Sequence, residues 1–329
     1  MQNKSLKVLA LAALCAGCSI AGTAQTIKTV VNFPNATLGI AANPVTNRVY
    51  VVAPTLDGIS DNLGVIDGNN DVLLQNISVP FGANATAVNY LTNQIYVAGC
   101  NYFETPSPCT VTVINGKTNK VTNTIAITSN PGLGLTGITV DEVDGRIFVA
   151  NANDNVINVI NGKTNKLVSS IGLKGNSPSA IAINPLLDLL YVPLGSNLTA
   201  IVNPSLGKVL SMANFGSTTV GAAANFVTGK VYVTDAETGP SMTGVLNAAG
   251  QKVASVVVGD APLGVDVDPV TNLAFVANSA VDSVDVIDGK TNTVKGVVTG
   301  VPASYIAVNY LTQKLYVSGR IGVSVVTEK

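Results

Sequence analysis

The chain has almost none of the side chains on which enzymes most often rely. Its 329 residues include no histidine and no tryptophan, and charged residues make up only 11% of the sequence. Histidine is the commonest general base and metal ligand. No nucleophile motif, zinc spacing or haem spacing compensates for its absence. We therefore expect a protein that is not an enzyme, and we look to its surfaces for a binding role.

Two of the four cysteines bracket one short segment. Cys100 and Cys109 enclose the sequence NYFETPSP, whereas Cys15 and Cys18 lie in an apolar N-terminal stretch. In an exported protein, such a pair favours a disulfide that clamps one loop. A metal-binding or catalytic thiol pair is the alternative, but helper side chains are missing because the chain contains no histidine.

A single carboxylate interrupts a column of small residues. The same place in seven similar segments is occupied by Ala41, Ala87, Thr139, Ala182, Ala223, Asp266 and Ala307. A carboxylate among packed small residues needs a hydrogen-bonding partner or water, because burying it bare is costly. We predict that Asp266 lines a watery central channel. A cation or ligand site on the axis is the alternative, with Ca²⁺ as the only candidate cofactor.

Gly-Lys-Thr occurs three times and looks like part of a phosphate-binding loop. The copies are VINGKTNKV from Val113, VINGKTNKL from Val159 and VIDGKTNTV from Val286. A phosphate-binding loop needs an earlier glycine at fixed spacing and a following helix, and these copies have neither. Asn-Gly or Asp-Gly after a β-branched run predicts a hairpin turn instead.

These turns belong to a repeated unit of four short strands. An aromatic residue in the second strand marks each copy at intervals of about 40 to 50 residues. The seven markers are Tyr50, Tyr96, Phe148, Tyr191, Tyr232, Phe275 and Tyr316. Four strands in a unit of this length predict an all-β fold, a seven-bladed β-propeller with four-stranded antiparallel blades.

Each first strand of the repeat ends in asparagine or aspartate. The positions are Asn43, Asn89, Asp141, Asn184, Asn225, Asp268 and Asn309. Both residue types cap tight turns through their side chains. We predict that this column caps the turn to the second strand and does not form a ring of ligands.

The two ends of the repeat array complement each other. The last repeat is one strand short, whereas Thr26 to Val31 is a β-branched run with no partner strands before it. We predict that this run completes the final blade and closes the ring, which leaves no sheet edge open.

The first residues predict export. Lys4 and Lys7 precede an apolar run followed by small residues, which is the layout of a secretory signal peptide. We assign residues 1–24 to the signal peptide and residues 25–329 to the propeller, with no transmembrane helix in the mature chain. The expected location is periplasmic or extracellular. Lipoprotein anchoring at Cys18 is the alternative, because the surrounding residues resemble a lipobox.

The second strands carry the motifs YVAG, FVAN, YVTD and YVSG, and the turns read NPVTN and DGKTN. In these residues the chain resembles the YVTN-type β-propeller repeat proteins, exported seven-bladed proteins of bacteria and archaea. The resemblance covers essentially the whole mature chain. It implies a binding or surface protein rather than one enzyme class, and some similar proteins are linked to DNA binding.

Seven-bladed propellers generally place two kinds of connection at opposite ends. The first-to-second and third-to-fourth strand turns share one end, the turn face, and the longer connections share the other, the loop face. Regular turns are typical of a structural scaffold, whereas irregular loops are typical of surfaces that bind specific partners. We therefore predict that the loop face is the binding face. Its candidate residues are Asp57, Asp61, Tyr102, Phe103, Glu104, Asp154, Asp235, Glu237, Asp282 and Arg320. We expect this face to be acidic and the turn face to be basic.

Three functions remain open on the sequence alone. The first is an exported, non-enzymatic, monomeric scaffold without a cofactor, whose partner is a protein, a glycan or a cell-envelope component. The second is a divalent-cation-dependent lactonase or lyase that uses Asp266 and the loop acids. The third is binding of single-stranded DNA, implied only by the resemblance; a net charge of -1 disfavours nucleic acid.

Overall fold

A computed structural model shows how the repeats assemble. It describes residues 26–104, 108–127, 134–215, 217–236 and 241–327, and the predicted signal peptide lies outside these ranges. Within the described residues, 28 strands form seven separate four-stranded sheets. No helix in this part of the chain is long and apolar enough to cross a membrane. The all-β, seven-bladed propeller expected from the repeat is confirmed.

The strands follow the repeat frame. The chain enters through β1 (Thr26–Val31) and builds blade 1 from β2 (Ile40–Asn43), β3 (Arg48–Ala53), β4 (Ser60–Asp67) and β5 (Val72–Pro80). Blade 2 comprises β6 (Ala83–Asn89), β7 (Gln94–Cys100), β8 (Cys109–Asn115) and β9 (Lys120–Ile127). Blade 3 comprises β10 (Leu135–Asp141), β11 (Arg146–Asn151), β12 (Val156–Asn161) and β13 (Lys166–Gly172).

The second half repeats the pattern. Blade 4 comprises β14 (Ala182–Asn184), β15 (Leu189–Pro193), β16 (Leu198–Asn203) and β17 (Lys208–Asn214). Blade 5 comprises β18 (Thr219–Ala224), β19 (Val231–Asp235), β20 (Met242–Leu246) and β21 (Lys252–Val257). Blade 6 comprises β22 (Pro262–Asp268), β23 (Leu273–Asn278), β24 (Ser283–Asp288) and β25 (Thr293–Thr299), and blade 7 contains β26 (Tyr305–Asn309), β27 (Lys314–Gly319) and β28 (Gly322–Thr327).

The N-terminal strand closes the ring. β1 pairs antiparallel with β28, from Thr26 opposite Thr327 to Val31 opposite Val323. Blade 7 therefore has the order β1-β28-β27-β26, with strands from both ends of the chain. This arrangement confirms the predicted closure. The first strands of neighbouring blades contact one another around the whole ring, β26 with β2 included, so they line the axis.

The aromatic residues of the second strands form the core between blades. All seven are essentially inaccessible to solvent. Tyr50 packs with Ile95 and Val97 of blade 2, and Tyr316 of blade 7 packs with Val49 of blade 1. Burying one large apolar side chain stabilises the fold by about 1.5–3 kcal/mol. Because each blade depends on its neighbour for this burial, the closed ring behaves as one unit.

The Asn and Asp column caps the first turns as predicted. Asn43 Oδ1 accepts hydrogen bonds from the backbone N–H of Val45 (3.1 Å) and Thr46 (3.2 Å). The same pair of bonds forms at the other six positions. The residue four positions later has a positive φ in every blade. Asparagine, aspartate and glycine tolerate that conformation best, which accounts for six of the seven residues found there.

Candidate functional site

The first strands enclose a channel along the propeller axis. Its loop-side part is a cavity of about 390 Å³ whose lining includes Thr136, Ser179 and Tyr305. A middle section of about 330 Å³ shares Thr86 with that cavity. The turn-side end is a narrower space of about 190 Å³. Hydroxyl side chains line every section, because Thr139 lies in the middle and turn-side parts and Tyr90 and Tyr310 lie at the turn-side end.

Asp266 lines the middle and turn-side sections of this channel. Its two oxygens each accept a backbone N–H, Oδ1 from Val267 (2.8 Å) and Oδ2 from Val308 of the next blade (2.8 Å). Burial raises the pKa of Asp266 to about 6, although these two N–H groups favour the ionised form. Asp266 thus links the innermost strands of blades 6 and 7.

A second carboxyl group, Glu142, lines the same two sections. Burial raises the pKa of Glu142 to about 8, and the negative charge of the adjacent Asp141 acts in the same direction. The Glu142 carboxyl is therefore largely protonated at neutral pH. Among the described residues, no three histidine, cysteine, aspartate or glutamate side chains are grouped so that they could hold a metal ion.

The turn-side end of the channel is ringed by the residues that follow the Asn and Asp column. They are Pro44, Tyr90, Glu142, Pro185, Phe226, Pro269 and Tyr310. Tyr90 is hydrogen-bonded to Tyr310, and burial together with the Glu142 charge raises the pKa of Tyr90. Glu142 is the single acidic member of a ring that is otherwise proline and aromatic.

The predicted disulfide is confirmed. Cys100 at the end of β7 lies directly opposite Cys109 at the start of β8, and the two sulfur atoms are bonded. Both residues are buried, and Asn101 N donates to Pro108 O (3.0 Å) just outside the disulfide. The loop that carries Tyr102 and Phe103 is therefore clamped at its base.

Five apolar side chains of blades 1 and 2 form what we call the apolar crest: Leu56, Ile59, Phe81, Tyr102 and Phe103. Leu56 is 89% exposed, and Ile59 and Phe103 are each 79% exposed. The rings of Phe81 and Phe103 contact each other, with centroids 5.2 Å apart. Beside the crest lies a groove of about 370 Å³, lined mainly by apolar residues, including Phe81 and Tyr102. Exposed apolar groups of this extent mark interaction surfaces.

The acidic candidates beside the crest differ in their environment. Asp61 is buried and accepts N–H groups from Thr55 (2.9 Å), Gly82 (2.8 Å) and Ala83 (3.0 Å), so it fixes the loops under the crest. Asp57 is exposed, and the Ile59 N–H and Thr55 hydroxyl lower its pKa. Glu104 is also exposed and accepts a bond from Asn101 Nδ2 (2.8 Å). Asp57 and Glu104 are thus the acids that this part of the loop face presents to solvent.

The remaining candidates are spread over blades 3 to 7. Asp154 accepts a hydrogen bond from Asn151 Nδ2 (2.9 Å), and Asp235 is buried against the hydroxyl of Ser217. Asp282 forms a bidentate pair with Arg320, with both N–O distances 2.5 Å, and this pairing lowers the pKa of Asp282. Glu237 lies outside the described residues. The structure therefore brings the crest residues, Asp57, Asp61 and Glu104 together and leaves the others dispersed.

Several basic side chains of the turn face form ion pairs within the chain. Arg146 contacts Asp141, Asp144 and Asp188, and Lys314 contacts Asp71 (2.8 Å). Arg48 pairs with Asp67 (2.8 Å). The exposed bases at this end of the strands are all lysines: Lys117, Lys120, Lys163, Lys166, Lys208, Lys252 and Lys290.

Sequence reasoning missed Phe81 and Glu142, and it singled out the loop from Pro54 to Leu63 as a polar loop without naming Leu56 and Ile59. A signal was available for Glu142, since it is the only charged residue in the column one position after the Asn and Asp caps. Leu56 and Ile59 lie in an irregular loop with no counterpart in the other blades. Their exposure depends on the path of that loop, which no repeat pattern specifies.

Comparisons with known proteins add support for the fold. No protein-family model matches the sequence, and no curated protein matches it. Among solved structures, the chain is similar to Kuenenia stuttgartiensis hydrazine synthase, with a TM-score of 0.74 and 16% sequence identity over 91% of this chain and 97% of that chain. In all, 1731 solved chains match. A fold this widely shared does not select a function.

Proposed function

We propose that this protein is an exported, non-enzymatic binding scaffold that holds a partner protein on its loop face. The observation that carries the proposal is the apolar crest, because its side chains are exposed at 79–89% at Leu56, Ile59 and Phe103. Leaving several large apolar groups in water has no benefit for folding, whereas it provides contact area for a partner.

The surroundings of the crest support the same role. The Cys100–Cys109 disulfide and the bonds to Asp61 hold the crest loops in place before binding. A pre-organised surface loses less conformational entropy when a partner docks. The groove beside the crest offers an adjacent place for a partner side chain.

Export is part of the proposal and rests on the N-terminal sequence and the disulfide. Disulfides persist in oxidising compartments such as the periplasm and the cell exterior. A reduced cysteine pair in protein isolated from its native compartment would contradict this part of the proposal.

Photocrosslinking tests the role of the crest. A photoreactive amino acid at Ile59 should form a discrete protein adduct in cells that export the protein. The matched control carries the same group at Val297 on the outer strand of blade 6, which is also apolar and 53% exposed. Adducts of the same kind and yield at both positions would contradict a specific loop-face partner.

A second candidate function concerns the channel. Two carboxyl groups with raised pKa values, Glu142 and Asp266, line one cavity, and such groups in clefts are candidates for acid–base chemistry. A lactonase or lyase reaction would then use Glu142 as the proton donor. Turnover of lactones or sugar acids that disappears in Glu142→Gln would support this candidate. Equal turnover in both proteins would exclude Glu142 from that role.

A further inference from the structure

The turn face carries exposed aliphatic side chains, four of them in first-to-second strand turns beside the end of the channel and one, Leu206, in a third-to-fourth strand turn. We call them the aliphatic ring: Val45, Leu91, Leu187, Leu206 and Val227. Their exposure ranges from 41% at Leu187 to 63% at Leu206. They come from blades 1, 2, 4 and 5, and they contribute nothing to the inter-blade core.

Lysines lie at the same end of the strands. We call Lys117, Lys120, Lys163, Lys166, Lys208, Lys252 and Lys290 the lysine rim. They lie in or next to the third-to-fourth strand turns of blades 2 to 6, and all are exposed. Among the described residues of the turn-face connections, the one exposed acid is Asp144, which contacts Arg146 (3.4 Å). The solvent-exposed charge of this face is therefore strongly positive.

The turn face is also even in height. The first turn has four residues in six of the seven blades, as in 44–47, 90–93 and 310–313. Similar turns at the ends of similar strands project to similar distances along the axis. The result is a level surface with most of the aliphatic groups on the inner turns and the lysines on the outer turns.

We propose that the turn face docks on an anionic lipid bilayer. Shallow insertion of aliphatic groups, assisted by lysines that attract anionic headgroups, is how peripheral proteins bind membranes. The exposed cations of this face are lysines and not arginines, and this favours a bilayer over an acidic protein as the partner. Protein interfaces favour arginine and aromatic anchors and are depleted in lysine. On this face Arg48 and Arg146 form ion pairs within the chain, and the exposed cations are all lysines, of which Lys252 also contacts Phe215.

Docking in this orientation leaves the loop face pointing away from the membrane. The apolar crest would then remain free to hold a partner, so the two surfaces do not compete. The bilayer proposal does not depend on the proposed role of the crest. If the turn face does not bind lipid, the proposal for the crest is unaffected.

Vesicle flotation tests the proposal. The protein used is the chain from Gln25, which contains the whole closed ring and lacks the apolar residues 1–24. It should float with vesicles in which about a third of the lipid is phosphatidylglycerol and not with vesicles of phosphatidylcholine alone. Binding should weaken as salt is raised, because salt screens the lysine charges.

Substitutions assign the binding to one face. One lysine near an anionic surface raises affinity roughly fivefold, so the triple change Lys117→Glu, Lys163→Glu, Lys290→Glu should weaken binding by about 100-fold or more. Serine at Val45, Leu91 and Val227 should lower affinity while the salt dependence remains. The double variant Leu56→Ser, Phe103→Ser should bind the vesicles with the same affinity as the unchanged protein.

Three results would overturn the proposal. They are failure of the folded protein to bind phosphatidylglycerol vesicles, full binding by the triple glutamate variant, and loss of binding in the Leu56→Ser, Phe103→Ser variant. Polyglutamate serves as the competing probe. Binding to it without binding to vesicles would identify an acidic polypeptide as the occupant of the turn face.

Discussion

On the turn face, seven similar turns commit their Asn and Asp side chains to hydrogen bonds within the chain, and the amide of Asn309 in blade 7 reaches Asn47 of blade 1 (2.8 Å). On the loop face, the connections differ in length, and Leu56, Ile59 and Phe103 of blades 1 and 2 extend into solvent. The same strands support both ends. The polar groups of the turns therefore hold the ring together, whereas the crest side chains are available to a partner.

This contrast separates side chains needed for stability from those available for function. Caps such as Asn43 recur because every blade needs the same turn. Leu56 and Phe103 have no repeated counterpart, so their presence requires an explanation other than the fold. The contrast has exceptions, since Asp61 on the loop face is structural and the aliphatic ring on the turn face is exposed.

The largest expected effect is at the junction of blades 7 and 1. Lys314 Nζ donates to Asp71 and to Gly68 O (2.7 Å), and the Asp71 side chain is inaccessible to solvent. Lys314→Met should reduce the free energy of unfolding by about 3–5 kcal/mol, because it removes the positive charge of Lys314 from a buried carboxylate. Denaturant unfolding measures the change.

The matched control for Lys314→Met is Lys163→Met. Lys163 is exposed in a turn of the same face, and its replacement should change stability by less than about 0.5 kcal/mol. Equal losses in the two variants would show that the Lys314–Asp71 contact does not hold the ring closed.

A smaller loss is expected for Asp61→Asn on the loop face. The two oxygens of Asp61 accept hydrogen bonds from the backbone N–H groups of Thr55, Gly82 and Ala83. An asparagine would put its NH₂ group in the place of one of these oxygens, so that donor would face donor. The free energy of unfolding should fall by about 1–3 kcal/mol. Asp57→Asn in the same loop is the control and should have little effect on stability, because Asp57 is exposed. A neutral Asp61→Asn variant would mean that the crest loops do not depend on this carboxylate.

Stability should fall as the pH rises. The pKa of Glu142 is raised from 4.5 to about 8 and that of Asp266 from 3.8 to about 6 by burial. Between the unfolded and folded pKa values the native state binds more protons than the unfolded state, so stability decreases with increasing pH in that window. The midpoint of thermal unfolding should therefore drop between pH 5 and pH 8, and most of the drop above pH 6 should disappear in Glu142→Gln. A midpoint that rises over this range in the unchanged protein would contradict the assigned pKa directions.

The smallest effects distinguish two tyrosines at the same repeat position. Tyr316 Oη donates to Asp71 Oδ1 (3.1 Å), whereas Tyr232 Oη is buried without a hydrogen-bond partner. Tyr316→Phe should cost about 1 kcal/mol, and Tyr232→Phe should be neutral or slightly stabilising. Phenylalanine already occupies this position at Phe148 and Phe275. A greater loss for Tyr232→Phe than for Tyr316→Phe would contradict these assignments.

Repetition is what made the fold predictable. Tyr50, Phe148 and their counterparts recur at blade spacing because each fills the same space between blades. The unpaired run from Thr26 to Val31 fitted the missing strand of blade 7 for the same reason. The Asn and Asp caps followed from a turn whose hydrogen bonds are local.

The candidate site was less predictable because it depends on loops that occur once. Asp57 and Asp61 are four residues apart and look alike in the sequence, yet one is exposed and the other accepts three backbone N–H groups. Long-range partners such as Gly82 decide between these outcomes. Arg146 is a similar case, since its contact with Asp188 of the next blade is invisible before the blades are assembled.

The most direct test of separate roles for the two ends measures how deeply a label on each face enters a membrane. In the chain from Gln25, both remaining cysteines form the disulfide, so a cysteine introduced by Val45→Cys or Ile59→Cys is the only free thiol for a fluorescent label. On phosphatidylglycerol-containing vesicles, lipid-bound quenchers should quench the label at residue 45 and leave the label at residue 59 unchanged. Quenching at residue 59 with none at residue 45 would contradict the account.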